Sequence, residues 1–366
     1  MKQWQALGGG LVGLGVLAAV SCSPSAFQSE TVVDSVRILA SRASEPRAKP
    51  GDTIELEVLA VDGRKDAPAP PKPGAMAVSW LGAPCVNPAG DAYFACFSKL
   101  ASGFSGSSGD AGSFAGGGDA GIGIGSLKPG EDLTPFLVSG PTLSFKMPAG
   151  IIIPRTGVSP SYGLVILFNF ACAGTLKLLA IDPNSANPQA IPVGCFDDNN
   201  QQLGADDFVF GFTRLYAYDM PTETNPTITA VDVGGTLLGV DGGVTTAPFV
   251  APLCTNSVSD TCQQKHPIGP VVPASEPSGK QVWVDFFSTI GKFTSNARLL
   301  YGPMVDLKIP GDTDDNFLPP SDLTNAPADN YIWMVVHDDQ GGADWVKVAL
   351  QIKGGAAKDG GTDGGR

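Results

Sequence analysis

The chain has 366 residues, among them 47 Gly and 31 Pro; 43% are hydrophobic, only 16% are charged, and the formal net charge is -13. Gly and Pro stay below the roughly 25 to 30% at which an aperiodic chain reads as low-complexity throughout, so a sizeable core is expected, while their abundance argues against a helical bundle and for an all-β fold. With 23 basic against 36 acidic residues and no run of Lys or Arg longer than two, the electrostatic footprint of a nucleic-acid binder is missing, and nucleic acid is not an expected partner.

In chain order, Met1-Lys2-Gln3 gives a short basic start, and Leu7 to Val20 is a 14-residue uncharged stretch carrying five Gly. That is shorter than the ~20 apolar residues a spanning helix needs, so residues 1–21 read as a signal peptide. The junction Leu17-Ala18-Ala19-Val20-Ser21-Cys22 resembles a bacterial lipobox. The resemblance implies that Cys22 is lipidated, carrying acyl chains such as palmitate, and becomes the mature N-terminus. Each buried methylene contributes about 0.8 kcal/mol, so two or three chains on one Cys hold a protein at a membrane without any spanning helix. By similarity to sorting in Gram-negative lipoproteins, Ser23 rather than Asp after the Cys implies an outer-membrane address, on its periplasmic face or at the cell surface. Residues 22–32 are then a polar tether.

The first module is expected over residues 33–220. Val36 to Ala40 begins a strand, and Glu45 to Asp52 is a turn by its Pro and Gly content. In the next strand Ile54, Leu56, Val58 and Ala60 share one face and Glu55 and Glu57 the other, the period of an antiparallel sheet with one wet side. The Pro-rich stretch from Ala67 to Gly74 is an extended connection, and Ala77 to Trp80 is a third strand. Residues 101–125 hold 10 Gly and read as a mobile insertion. Their Gly116-Gly117-Gly118-Asp119-Ala120-Gly121 matches a dinucleotide fingerprint by letter, but no strand leads in and no helix leads out, so it carries no phosphate site. Strands resume at Thr142 to Pro148, Tyr162 to Ala171, apolar on both faces and therefore central, and Asp207 to Tyr218.

Residues 221–226, with two prolines and no apolar side chain, are the expected linker. The second module, 227–353, opens with Thr227 to Val231, continues with Val282 to Phe287, Lys292 to Thr294 and Tyr331 to Val336, and turns through Asp338 to Gly342 into Trp345 to Lys353, where Val346, Val348, Leu350 and Ile352 share a face. Those last two strands make a β-hairpin. Residues 354–366 read as a disordered Gly-rich tail.

An exported chain sits in an oxidising compartment, where the six cysteines other than Cys22 are expected to pair. Six cysteines allow 15 connectivities; their clustering favours nearest neighbours, Cys85 with Cys96, Cys172 with Cys195 and Cys254 with Cys262. No C-x-x-C spacing and only two His argue against a metal or redox site built on them.

Short strand spacing, a Pro-Gly-Asp turn between the first two strands, a Trp on the third and a terminal hairpin argue for all-β Greek-key sandwiches. Val36 to Ala40, Lys49 to Thr53 and Val335 to Trp345 resemble bacterial surface lipoproteins with tandem immunoglobulin-like or PKD-like modules. That resemblance implies two immunoglobulin-like antiparallel β-sandwich domains with long Gly/Pro-rich loops, displayed at the cell envelope, and carries no catalytic residues. The expected partners are the membrane, through the anchor, and an envelope protein or glycan.

A rival function is a secreted hydrolase acting on glycan or peptide, and another is an accessory subunit of an envelope complex. Hydrolysis would draw on Asp206-Asp207 or Asp338-Asp339 opposed across a cleft, or on His337, which the sequence places at the start of the last hairpin turn, as a base. His266, before Pro267, is given no role. Calcium is the one cofactor entertained, because Asp312, Asp314 and Asn316 put hard oxygens at alternate positions; Phe317 and Leu323 stand where an EF-hand needs Gly and Glu. Otherwise that segment, like the two acidic pairs, reads as a solvated acidic loop.

Overall fold

The computed structural model describes residues 31–65, 67–68, 74–97, 128–180, 192–221, 223–258, 261–273, 280–301, 315–324 and 326–354. Cys22, the Gly-rich tract at 101–125 and the tail from 355 lie outside them.

The first sandwich contains β1 (Val36–Ala43), β2 (Arg47–Ala48), β3 (Thr53–Asp62), β4 (Ala77–Leu81), β5 (Cys85–Val86), β6 (Leu137–Ser139), β7 (Thr142–Lys146), β8 (Gly163–Cys172), β9 (Thr175–Leu178), β10 (Val193–Phe196) and β11 (Phe208–Ala217). One sheet has the order β1-β3-β7 and the other β2-β11-β8-β4-β6. Taken in chain order this is the immunoglobulin arrangement, A-B-E against G-F-C-C′. Within the predicted turn at 45–52, the short β2 crosses to the second sheet and pairs parallel with Tyr216 and Ala217 at the end of β11. Ile54, Leu56, Val58, Leu143 and Phe145 meet Trp80, Val165, Leu167 and Leu215 between the sheets. The alternation read in β3 thus turns its apolar side inward, and Trp80 sits fully buried on β4, the strand expected third and displaced to fourth by the short β2.

β8 is buried along its whole length, for a reason its sequence only half discloses. Val165 and Leu167 face the sandwich core, whereas Leu164, Ile166, Phe168 and Phe170 face outward and meet a second apolar layer. That layer comes from the chain between β4 and β6 and from the chain between β8 and β11. Cys85, Cys96, Phe97 and Leu133 supply one part, and Leu176, Val193 and Cys195 the other. Between Cys172 and Cys195 the chain forms a hairpin of β9 with β10. A third layer on one sheet explains why a strand of an antiparallel sandwich reads like a strand of a parallel sheet.

The second sandwich contains β12 (Ala230–Val233), β13 (Thr236–Asp241), β14 (Val244–Thr245), β15 (Phe249–Pro252), β16 (Ser257–Val258), β17 (Thr261–Cys262), β18 (His266–Val271), β19 (Val282–Ser288), β20 (Lys292–Phe293), β21 (Ala297–Tyr301), β22 (Asp315–Leu318), β23 (Tyr331–Asp338) and β24 (Ala343–Lys353). The same order recurs, with β12-β18-β22 on one side and β24-β23-β19-β21 on the other. β14 and β15 pair parallel with β24, and β13 pairs with both β12 and β14, so hydrogen bonding continues round that edge. Val231, Ile268, Val284, Phe286, Phe317, Met334, Val336, Val346 and Val348 fill the core. The opening strand begins at Ala230, three residues later than its sequence pattern suggests. The strands from β13 to β18, with β21 and β22, carry no sequence signal strong enough to have been placed beforehand.

All three nearest-neighbour disulfides are present, Cys85 to Cys96, Cys172 to Cys195 and Cys254 to Cys262. No helix among the described residues is long and apolar enough to cross a membrane.

Candidate functional site

His337 lies in β23 rather than in the turn, because the β23–β24 ladder runs on through His337 opposite Ala343. It faces the outside of the sheet, opposite Trp283 of β19. The two rings stack at 5.4 Å with planes 23° apart, and His337 Nε2 is 3.2 Å from Asp285 Oδ2. A His held by a carboxylate is two parts of a nucleophilic triad. The third part is missing among the described residues, where no Ser, Thr or Cys bonds His337. His266 lies in β18 against Phe249, ring centroids 6.0 Å apart; its Nε2 is buried without a partner, and burial pushes its pKa below the ordinary imidazole value.

In each acidic pair one carboxylate is drawn into the fold, while Asp206 and Asp339 stay exposed in turns as a solvated loop would have them. Asp338 is 4% exposed: its Oδ1 accepts from the N–H groups of Gln340 (2.9 Å) and Gly342 (2.6 Å), and its Oδ2 from Lys280 Nζ (3.1 Å). Asp339 Oδ1 accepts from the Gln281 N–H at 3.2 Å. Gly341 has φ +90, a conformation that suits glycine. Asp207 Oδ1 takes a hydrogen bond from Arg64 Nη1 at 2.8 Å, and the Asp206 carbonyl accepts from Val36 N–H. Arg64 also binds both carboxylate oxygens of Asp62; these bonds to Asp62, then Asp207, raise its pKa above the ordinary guanidinium value despite burial.

Of the calcium candidates, Asp312 and Asp314 lie outside the described residues, and Asn316 sits in β22 opposite Pro267. Asp315 between them is fully buried. It accepts from the Thr294 hydroxyl and from the N–H groups of Ser295 and Asn316. Among the described residues no group of three or more His, Cys, Asp or Glu is placed to hold a metal ion.

Two surfaces stand out that sequence reasoning missed. The first is the seam between the sandwiches. β1 lies along the outer face of the β24-β23-β19 sheet, where Leu39, Ala40 and Leu59 pack on Phe287, Val335 and Trp345. Arg42 stacks over the Trp345 ring at 4.1 Å and bridges Glu57 of its own sandwich to Asp344 of the other, at 2.8 and 2.6 Å. The second oxygen of Asp344 accepts from the Ile228 N–H. The expected linker takes part as well: Asn225 donates to the Ala43 carbonyl and accepts from the Ala343 N–H, and Glu223 pairs with both Arg47 and Lys280. Val335 and Trp345, on the strand faces opposite the apolar ones, were the available signal, since a wet face has no use for either.

The second surface lies at one end of the first sandwich. Tyr162 has its ring 5.5 Å from Tyr216 and 6.0 Å from Tyr218. Arg155 covers Tyr162 at 4.1 Å and Arg47 covers Tyr218 at 4.9 Å. Asp91 binds both Arg155 and the Tyr162 hydroxyl, and that hydrogen bond, with burial, raises the phenol pKa. Around this cluster Met220 is 85% exposed, Val158 47% and Ile153 39%.

No protein-family model and no curated protein matches the chain. Among solved structures it is similar to the D0-D1 domain of intimin, at 10% identity and TM-score 0.20 over 86% of this chain and 98% of that one. Murine CEACAM1b matches at 9% identity and TM-score 0.18, over 86% and 100%. An Escherichia coli alpha-2-macroglobulin activated by porcine elastase matches at 11% and 0.19, over 87% of this chain and 22% of its own length. The strand order, not these weak overlays, carries the immunoglobulin-like assignment.

Proposed function

We propose that the chain is a lipid-anchored outer-membrane protein whose two immunoglobulin-like sandwiches, fixed side by side, form a non-enzymatic binding or adhesion module. The observation that carries the binding reading is the cluster of Tyr162, Tyr216, Tyr218, Arg47 and Arg155 rimmed by exposed Met220, Val158 and Ile153. Tyr, Met and Arg are the residues enriched at protein interfaces, and an envelope protein is the partner class this composition favours. The seam supports the same reading, because a surface on a rigid pair loses less freedom on binding than one on a mobile module. The anchor rests on the sequence at Ala19-Val20-Ser21-Cys22.

The test joins both parts. A photo-crosslinking residue in place of Met220 should trap a partner in intact envelopes, while one in place of Leu237, 63% exposed on the other sandwich, should not. Cys22→Ser should abolish acyl labelling and move the protein to the soluble fraction. Equal crosslinking at both positions would remove the binding surface, and unchanged membrane association in Cys22→Ser would remove the anchor.

A further inference from the structure

The chain enters the first sandwich through the seam. Val33 is fully buried; its N–H donates to the Ser288 carbonyl at 2.8 Å, and the Ser288 N–H donates to the Thr31 carbonyl at 2.8 Å. These bonds pair residues 31–33 with the end of β19 in the second sandwich. On the opposite side stands Gly63, directly after β3 of the first. Its N–H donates to the Ser35 carbonyl at 3.0 Å, and a Cβ at Gly63 would overlap the Val33 carbonyl and come within 2.8 Å of Asp34 N. Residues 31–35 are thus wedged between the ends of two strands from different sandwiches, with glycine on one side because nothing larger fits. From Val36 onward the chain becomes β1, the strand that lies along the seam.

We infer that residues 31–35 are a strap that couples the lipid anchor to the seam. Seated, the strap holds the sandwiches side by side with its end of the seam toward the lipid surface; withdrawn, it lets them part about the connection at 223–229. The orientation rests on the proposed anchor at Cys22, from which the eight intervening residues reach at most about 30 Å. The clamp does not rest on that anchor, since its contacts are all within the described chain. Tension on the tether bears first on the bonds to Ser288, so a pull from the membrane acts on the contact between the sandwiches before it acts on either core. Parting would uncover Phe287, Val335 and Trp345, the apolar face that β1 now covers.

The experiment uses the detergent-solubilised full-length protein, spin-labelled at Lys146→Cys on the first sandwich and Thr236→Cys on the second, both exposed positions. Pulsed electron resonance should give one narrow distance distribution in this parent. Gly63→Val, which drives a side chain into the strap, and Val33→Asp, which places an unpaired carboxylate in the wedge, should each lengthen and broaden it. A melting curve on each variant identifies any that fails to fold, and the other then decides. A distribution as narrow as the parent's in a folded variant overturns the strap. Adding Cys22→Ser to the parent should leave the distribution narrow, because the clamp needs no lipid; broadening there overturns the separation of clamp from anchor. For orientation, the protein is seated in phosphatidylethanolamine and phosphatidylglycerol vesicles carrying a headgroup quencher. A fluorophore at Asp34→Cys should then be quenched more strongly than one at Asp241→Cys, and equal quenching overturns the membrane-facing arrangement. Failure of the wild-type protein to attach to vesicles sinks the anchor, while the distance measurement still decides the clamp.

Discussion

Replacing Asp338 separates an architectural carboxylate from a catalytic one. Its side chain is 1% exposed and serves three donors, the N–H groups of Gln340 and Gly342 and the Lys280 ammonium. Asp338→Ala leaves the Gly342 N–H buried without an acceptor, which costs about 1–3 kcal/mol. Breaking a buried ion pair typically costs about 3–5 kcal/mol, but Lys280 keeps Glu223 at 2.8 Å and so loses only one of two anionic partners. A total near 3 kcal/mol follows, toward the lower end of those ranges. Asp338→Asn keeps an oxygen for the turn but loses the charge and turns its amide NH2, a donor, toward Lys280, so it should cost less than Asp338→Ala by the turn contacts it retains, on the order of 1–2 kcal/mol in all. Equilibrium urea unfolding with the disulfides intact, followed by tryptophan emission, measures both. The reasoning fails if Asp338→Ala stays within about 0.5 kcal/mol of wild type, the range of an ordinary surface substitution. Loss of a hydrolytic activity at unchanged stability would instead make the carboxylate a chemical group.

Three further outcomes are expected. Replacing Cys172 and Cys195 together by Ser, which opens a bridge across a sequence separation of 23, should lower stability by about 3 kcal/mol on the chain-entropy relation, read as a shifted urea midpoint in non-reducing buffer. His266, whose pKa burial lowers, holds its proton less tightly folded than unfolded, so its contribution is present above the ordinary value near 6.5 and lost as pH falls through the folded one. Wild type should therefore lose stability below that pH more steeply than His266→Leu, and parallel pH profiles would show that the imidazole is not the cause. Gly341→Val, forcing a β-branched side chain to φ +90, should cost about 2 kcal/mol and lower the melting temperature, whereas His337→Ala, losing a half-exposed pair with Asp285, should cost under about 1 kcal/mol and leave Met220 crosslinking intact.

What the sequence disclosed of the fold was whatever one strand records about its own two faces. Ile54, Leu56 and Val58 alternate with Glu55 and Glu57 because one side of β3 meets a core and the other meets water, and such a strand is legible without its partners. β8 shows the limit. Its unbroken apolar run identifies a strand buried on both sides, but the cover over Phe168 and Phe170 is drawn from residues such as Phe97 and Leu133, in a connection between β4 and β6 that carries no strand pattern there. β18, His266-Pro267-Ile268-Gly269-Pro270-Val271, was not legible at all. Two prolines and a glycine argue against a strand, yet those six residues pair with β12 and β22 and place Ile268 in the core. Tertiary pairing overrides local propensity there. The disulfides were readable because each closes a local loop, the one case in which sequence distance is a guide to spatial distance.

The polar residues were harder to read for a related physical reason. A carboxylate beside a Gly-rich turn looks the same in sequence whether it meets water, a metal or a lysine, and its partner decides among them. For Asp338 that partner is Lys280, 58 positions away, and for Asp344 it is Arg42, 302 positions away. No local pattern encodes either pairing. Burial then fixes the consequence. An ionised group taken out of water needs a counter-charge or hydrogen bonds, so a fold that buries Asp315 and Asp338 satisfies both internally. The net charge of -13 therefore overstates what Asp315 and Asp338 present to solvent, because each is matched inside the fold by donors that no local pattern names.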